Sequence, residues 1–161
     1  MKNILLYAGI VAIGVLLGFL LFGRAPEQLG GVGSLAKFHT FVNGTAATTT
    51  GTAVRVSDYN SLVISLVTDT ATNTVKCAGS IQSNPPTFEA TRSATNMWGY
   101  VSLTDLQTGT AIDGAAGISA TGTSLFKQYK VNVSENLTYL DCSVVNWTTG
   151  TTTIRAFLKA N

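Results

Sequence analysis

Residues 60–68 read NSLVISLVT, a run of β-branched and aliphatic residues whose side chains alternate along an extended chain. Leu62, Ile64 and Leu66 fall on one face of that chain, and a two-residue period is typical of a β-strand. No helical period appears after residue 23. Further runs of strand-forming residues stand at 37–43 (KFHTFVN), 52–57 (TAVRVS), 73–82 (NTVKCAGSIQ), 96–106 (NMWGYVSLTDL), 124–133 (SLFKQYKVNV), 137–147 (LTYLDCSVVNW) and 151–160 (TTTIRAFLKA).

Segments rich in turn-forming residues separate these runs. They stand at 69–72 (DTAT), 84–86 (NPP), 107–109 (QTG), 113–114 (DG) and 148–150 (TTG). About eight short strands at this spacing predict an all-β fold, an antiparallel two-sheet sandwich of jelly-roll or Greek-key type. The predicted core comprises Phe38, Leu62 or Val63, Ile64, Leu66, Val75, Ile81, Trp98, Tyr100, Leu125, Val131, Leu140, Val144, Ile154 and Leu158.

The N-terminal part of the chain has a different composition. Ile4 to Phe22 is a stretch of 19 uncharged residues, which as a helix would span about 28 Å, close to the roughly 30 Å hydrocarbon thickness of a bilayer. We expect a hydrophobic helix at 1–23 that crosses a membrane or packs in an assembly, a flexible linker at 24–34, and the sandwich domain at 35–161. A cleaved secretory signal and a buried core helix are the alternatives.

Two glycines in that stretch, Gly14 and Gly18, have the GxxxG spacing that lets helices approach closely. They are therefore candidate helix-packing residues. Almost nothing precedes the apolar stretch, and Lys2 is the only charged side chain there. We therefore expect the N-terminus to stay cytoplasmic, in a single-pass membrane protein with an extracytoplasmic C-terminal domain. The other localisation is a virion component.

The charged and reactive residues indicate few chemical functions. Charged residues make up 11% of the chain and the net charge is +2, so no electrostatic footprint for nucleic acid is present. His39 is the sole histidine, it has no companions at metal-ligand spacing, and the chain contains no G-x-S-x-G motif. We therefore predict no catalytic residue, no metal site, no cofactor and no enzymatic activity.

The remaining candidate residues are two cysteines and four asparagines. Strand alternation directs Cys77 and Cys142 towards the core, where an extracytoplasmic domain would permit a disulfide; two buried free thiols are the alternative. N-x-[ST] sequences make the following residues candidate glycosylation sites: Asn43, Asn132, Asn136 and Asn146.

Residues 58–161 contain a hairpin motif, DLQTGTAIDG at 105–114, followed by the strand pair that includes LTYLDCSVVNW. This pattern resembles β-sandwich modules of phage structural proteins and microbial surface proteins, and the resemblance implies a structural role. The layout of an apolar helix followed by a β domain is similar to that of archaeal pilins. It differs from theirs because no short basic leader with a peptidase site precedes the apolar run.

The sequence thus favours a non-enzymatic structural protein, a membrane-anchored β-sandwich subunit that self-assembles in a virion or cell-surface filament. Its expected partners are copies of itself and a lipid bilayer or other assembly subunits, because strand edges and apolar helices both support association. The alternative is a surface-tethered carbohydrate-binding or adhesive module, whose partner would be a glycan.

Overall fold

The structure, a computed structural model, describes residues 36–88, 90–122, 125–132 and 137–160. These residues form nine β-strands and no helix, which confirms the prediction of an all-β antiparallel fold. The strands are β1 (Ala36–Thr45), β2 (Val54–Arg55), β3 (Ser61–Ser80), β4 (Gly99–Tyr100), β5 (Leu103–Asp105), β6 (Ala111–Ile112), β7 (Ile118–Gly122), β8 (Leu125–Val131) and β9 (Tyr139–Lys159).

All nine strands belong to one sheet, with the order β1-β9-β3-β8-β5-β6. Short β2 pairs with β9, while β4 and β7 pair with β3. Two long central strands organise the sheet, since β3 has 20 residues and β9 has 21. They pair antiparallel from Ser61 opposite Lys159 to Ser80 opposite Tyr139. Every other strand except β5 and β6 pairs directly with one of these two.

The strands thus pair as one continuous sheet, where two separate sheets were predicted. Residues 69–72 and 148–150 do not form turns between separate strands but lie inside β3 and β9. Thr70 has a φ of 47° and the pairing register shifts between Asp69 and Thr72. An extra residue in a strand reverses which side chains face inward. Buried positions in β3 accordingly change from the even numbers at 62–68 to the odd numbers at 71–77.

One cluster of buried apolar side chains draws on both halves of β3 and β9, so the sheet bends around a single core. The cluster comprises Phe41, Val42, Val54, Val56, Leu62, Ile64, Leu66, Val75, Cys77, Leu103, Ile118, Ala120, Tyr129, Val131, Leu140, Cys142, Val144, Ile154, Ala156 and Leu158. Three predicted core residues are instead exposed: Phe38, Ile81 and Tyr100. In β1 the register shifts between Thr40 and Val42, so that Phe41 and Val42 enter the core in place of Phe38.

The predicted fold with an N-terminal hydrophobic helix, and the single-pass membrane localisation, also require correction. Residues 36–160, with the gaps given above, contain no helix long and apolar enough to cross a membrane. The fold that the structure defines is a sheet alone. The proposed helix at 1–23, its packing residues Gly14 and Gly18, and the linker at 24–34 lie outside the described residues.

Candidate functional site

The two cysteines lie directly opposite each other on the central strands. Cys77 of β3 pairs with Cys142 of β9, their Cα atoms are 4.0 Å apart, and a disulfide joins them. Both residues are fully buried within the core cluster. The bond therefore ties together the two strands that carry the rest of the sheet, and it has no access to a substrate.

The candidate glycosylation residues are dispersed over the surface. Asn43 on β1 and Asn146 on β9 are exposed. Asn132 is exposed too, and its side-chain amide exchanges hydrogen bonds with the hydroxyl of Thr104. Asn136 lies outside the described residues. Modification at these positions stays a prediction.

His39 has a structural contact on β1. Its Nε2 donates to the carbonyl oxygen of Thr52 over 2.6 Å, and its ring meets the Phe41 ring edge-on at 4.9 Å. The histidine thus holds the segment before β2 against β1. Within the described ranges, no group of three His, Cys, Asp or Glu side chains is placed to hold a metal ion.

The side chain of Asp105 stabilises the turn between β5 and β6, where the sequence DLQTG lies. Oδ1 of Asp105 accepts hydrogen bonds from the backbone N–H groups of Gln107 and Thr108, at 2.8 and 3.2 Å. Lys127 Nζ lies 3.8 Å from Asp105 Oδ2. Burial, together with the negative charge of Asp105, raises the pKa of Tyr129 to about 12. Tyr129 is itself buried, so this group stabilises the fold and offers no reactive hydroxyl at neutral pH.

Two rows of apolar side chains lie on the face of the sheet that points away from the core, which we call the outer face. The first row runs across β1, β9 and β3, because Phe38 pairs with Phe157 and Phe157 pairs with Val63. The ring centroids of the two phenylalanines are 5.0 Å apart. The second row is Val67 beside Phe126 of β8. Phe38 and Phe126 are 77% and 61% exposed, and two such exposed phenylalanines on one face of a sheet are unusual.

Polar and charged residues surround these two rows. Ser65 and Arg155 pair between the rows, and Lys130 lies beside Val63. At one end of the outer face Lys159 pairs with Ser61, and at the other end stands the exposed Asp69. The outer face is therefore positive at the Lys159 end and negative at the Asp69 end.

A separate feature lies in the loop that joins β3 to β4, residues 81–98, in which residue 89 is not described. The loop borders an open cavity of about 480 Å³, and most of the side chains that line it are exposed. Next to it, Trp98 meets Tyr100 edge-on at 5.3 Å, and the Arg92 guanidinium lies 4.6 Å from the centre of the Trp98 ring. The cavity is lined by Gln82, Ser83, Asn84, Pro85, Pro86, Thr87, Ala90, Thr91, Ser93, Thr95 and Asn96.

Sequence reasoning missed both features. Residues 60–68 are apolar on both faces, and this pattern does not show which face is buried. The prolines at 85–86 predicted a turn, and nothing in their spacing predicts a cavity. Hydrogen bonds and ring contacts across the loop create that cavity, and they become visible only in three dimensions.

The geometry defines an all-β domain built on one bent antiparallel sheet, with an apolar outer face and a loop cavity. Its fold is similar to that of the SPBc2 prophage-derived protein YomS, whose crystal structure superposes with a TM-score of 0.59. The two sequences are 13% identical, and the match covers 78% of this chain and 94% of that chain. No protein-family model matches the chain, and no curated protein shows significant sequence similarity to it. The likeness to a phage-derived protein concerns the fold.

Proposed function

We propose that this protein is a non-enzymatic structural subunit of a virion or phage-like particle, in which copies of the chain pack through the outer face. The exposed Phe38 and Phe126 on that face are the observation that carries the proposal. The fold of the prophage-derived YomS is consistent with a phage-related role.

The exposed apolar area supplies a driving force for the proposed packing. With about 200 Å² for a phenylalanine side chain, the exposed fractions of Phe38 and Phe126 leave about 280 Å² in contact with water. At about 25 cal/mol per Å², burial of this area stabilises a complex by about 7 kcal/mol for each copy. This is an upper limit, because it assumes complete burial of both rings, and association itself costs roughly 4–15 kcal/mol.

The charges on the outer face favour a second copy in reversed strand direction. In that arrangement the Asp69 end of one copy lies over the Lys159 end of the other. Parallel strands would instead place Asp69 on Asp69. Contacts of this kind use the same surface of both subunits, as expected for a two-fold symmetric dimer.

Sedimentation of the full chain tests this packing. We expect the wild type to sediment as a dimer or larger species at micromolar concentration, and the double variant Phe38→Thr/Phe126→Thr to shift towards the monomer. Threonine retains the preference for a strand while removing the apolar area. The matched control is Leu106→Thr, which removes an exposed apolar side chain from the turn after β5 and should leave the mass unchanged.

Equal masses for the wild type and the double variant would refute packing through the outer face. Residues 1–35 are identical in all three proteins, so a difference in mass between them reports a contact outside those residues. The particle assignment is tested separately by mass spectrometry of virus-like particles from the source culture. The chain should be an abundant component of those particles, and its absence would overturn the assignment.

A further inference from the structure

The first half of β1 forms an open edge of the sheet. β1 is the first strand in the sheet order and pairs with β9 on one side only. In an antiparallel pair, alternate residues direct both their N–H and C=O groups away from the partner strand. Those groups in residues 36–40 form no backbone hydrogen bond with any other described residue. Such an edge is a template for pairing with another strand.

β1 has few of the features that usually protect an edge strand. It is ten residues long and contains no proline, whereas β6 at the other end of the sheet order has two residues. Short edge strands and prolines both prevent strand addition. The open stretch ends at Phe41, whose carbonyl oxygen accepts a hydrogen bond from the Thr52 N–H over 3.2 Å. Its one charged side chain is the exposed Lys37, so the added strand has to be compatible with that charge.

A second copy of the same edge is compatible with Lys37 in one register. Two copies of β1 that pair about a two-fold axis lie antiparallel, with one residue opposite itself. An axis at Lys37 places two ammonium groups opposite each other, which is unfavourable. An axis at His39 places Lys37 opposite Phe41, where Thr52 already occupies the edge. An axis at Phe38 avoids both conflicts and uses residues 36–40 alone.

The register centred on Phe38 also continues the aromatic row of the outer face. Phe38 is 77% exposed, and its ring centroid lies 5.0 Å from that of Phe157. Directly opposite side chains of an antiparallel pair have Cβ atoms about 4.5–5.5 Å apart. Phe38 therefore contacts Phe38 of the partner subunit, and the row extends across the edge into the second sheet. On the other face, Lys37 lies opposite His39 of the partner subunit.

We propose that β1 of one copy pairs antiparallel with β1 of a second copy, through the backbone groups of residues 36–40 and with Phe38 at the two-fold axis. This edge contact is separate from packing through the outer face, and only its role in a particle rests on the proposed function. One two-fold contact produces a dimer and ends there. A second two-fold contact joins dimers into a larger assembly.

Disulfide trapping in the full chain tests the register. In the double variant Ala36→Cys/Thr40→Cys, each new thiol lies opposite the other position of the partner subunit, at a Cα separation of about 5 Å. Mild oxidation should therefore give a covalent dimer on a non-reducing denaturing gel. Within one chain the two positions are about 14 Å apart, too far for a disulfide. The single variants Ala36→Cys and Thr40→Cys are the matched controls, because each thiol is then about 14 Å from its copy, and both should stay uncrosslinked.

Two variants of His39 test the charge argument. His39→Glu places a carboxylate opposite Lys37 of the partner subunit, and His39→Lys places a second ammonium group there. Both remove the hydrogen bond from His39 to Thr52 and leave the outer face unchanged. The Glu variant should associate about tenfold more tightly than the Lys variant in sedimentation, since the pair occurs twice in a two-fold contact.

The edge contact fails if the double cysteine variant gives no covalent dimer, or no more than the single variants give. Equal association of the two His39 variants would also overturn it. Hydrogen exchange of the wild type provides a measurement without substitution: amides within residues 36–40 should exchange more slowly at high protein concentration, and rates independent of concentration would contradict the pairing. Sheets that pack only face to face lie about 10 Å apart, beyond disulfide reach, so trapping distinguishes failure of the edge contact from failure of the outer-face contact.

Discussion

Reduction of the disulfide should lower the free energy of unfolding of the domain by an amount that depends on the number of residues between the two cysteines. Cys77 and Cys142 are 65 residues apart, and cross-linking a loop of that length restricts the unfolded chain by on the order of 4 kcal/mol at 25 °C. With an m-value of about 2 kcal/mol per molar urea, this corresponds to a fall of about 2 M in the unfolding midpoint. Reduction leaves both sulfur atoms in place, so it creates no cavity in the core.

The assay is urea unfolding of the full chain with and without dithiothreitol, with free thiols counted to establish that the bond is open. The matched control is Cys77→Ala/Cys142→Ala, whose midpoint should not respond to the reductant. If the reduced wild type unfolded at the same urea concentration as the oxidised form, constraint of the unfolded chain by the disulfide would be excluded.

Further predictions concern pH and backbone conformation. Because burial raises the pKa of Tyr129 to about 12, the unfolded chain releases this proton first as pH rises above about 10. This stabilisation is complete below about pH 10 and is lost by about pH 12. In alkaline urea titrations the free energy of unfolding should therefore fall by up to about 3 kcal/mol, and it should fall much less in the variant Tyr129→Phe. Asp105→Asn should lower the pKa of Tyr129 in a spectroscopic titration of tyrosinate, since it removes a nearby negative charge; an unchanged pKa would exclude that contribution. Gly150→Ala should destabilise the domain by about 2–4 kcal/mol in thermal unfolding, because φ is 74° and the new Cβ would overlap the carbonyl oxygen of Asp69. Gly109→Ala, at a φ of 71° with open space around it, should cost only about 1 kcal/mol, and equal losses in the two variants would rule out the steric contribution.

The strands could be predicted from the sequence, but their arrangement could not. Alternation in residues 60–68 identified a strand because the two-residue period is a local property. The segments 69–72 and 148–150 carry Asp, Thr and Gly, which favour turns. Bulges favour similar residues, and only long-range pairing distinguishes a bulge inside one long strand from a turn between two short ones. That pairing turned two predicted sheets into one.

The same limit applies to the candidate sites. The sequence predicted that Cys77 and Cys142 both face inward, since each alternates with apolar neighbours, but it left open whether they bond. It placed Phe38 in the core, because apolar character alone does not identify the buried face. The bulge that follows Thr40 reverses the inward positions in β1. The sequence KFHTFVN alone does not predict this bulge.

A distance measurement across the outer face tests the account most directly. A spin label on Ser65→Cys, between the two apolar rows, can be attached selectively because both native cysteines are in the disulfide. Since packed sheets lie about 10 Å apart, dipolar electron resonance should give an inter-label distance of about 10–20 Å in a dimer of the full chain. A dimer of unchanged mass whose labels are more than about 30 Å apart would contradict face-to-face packing.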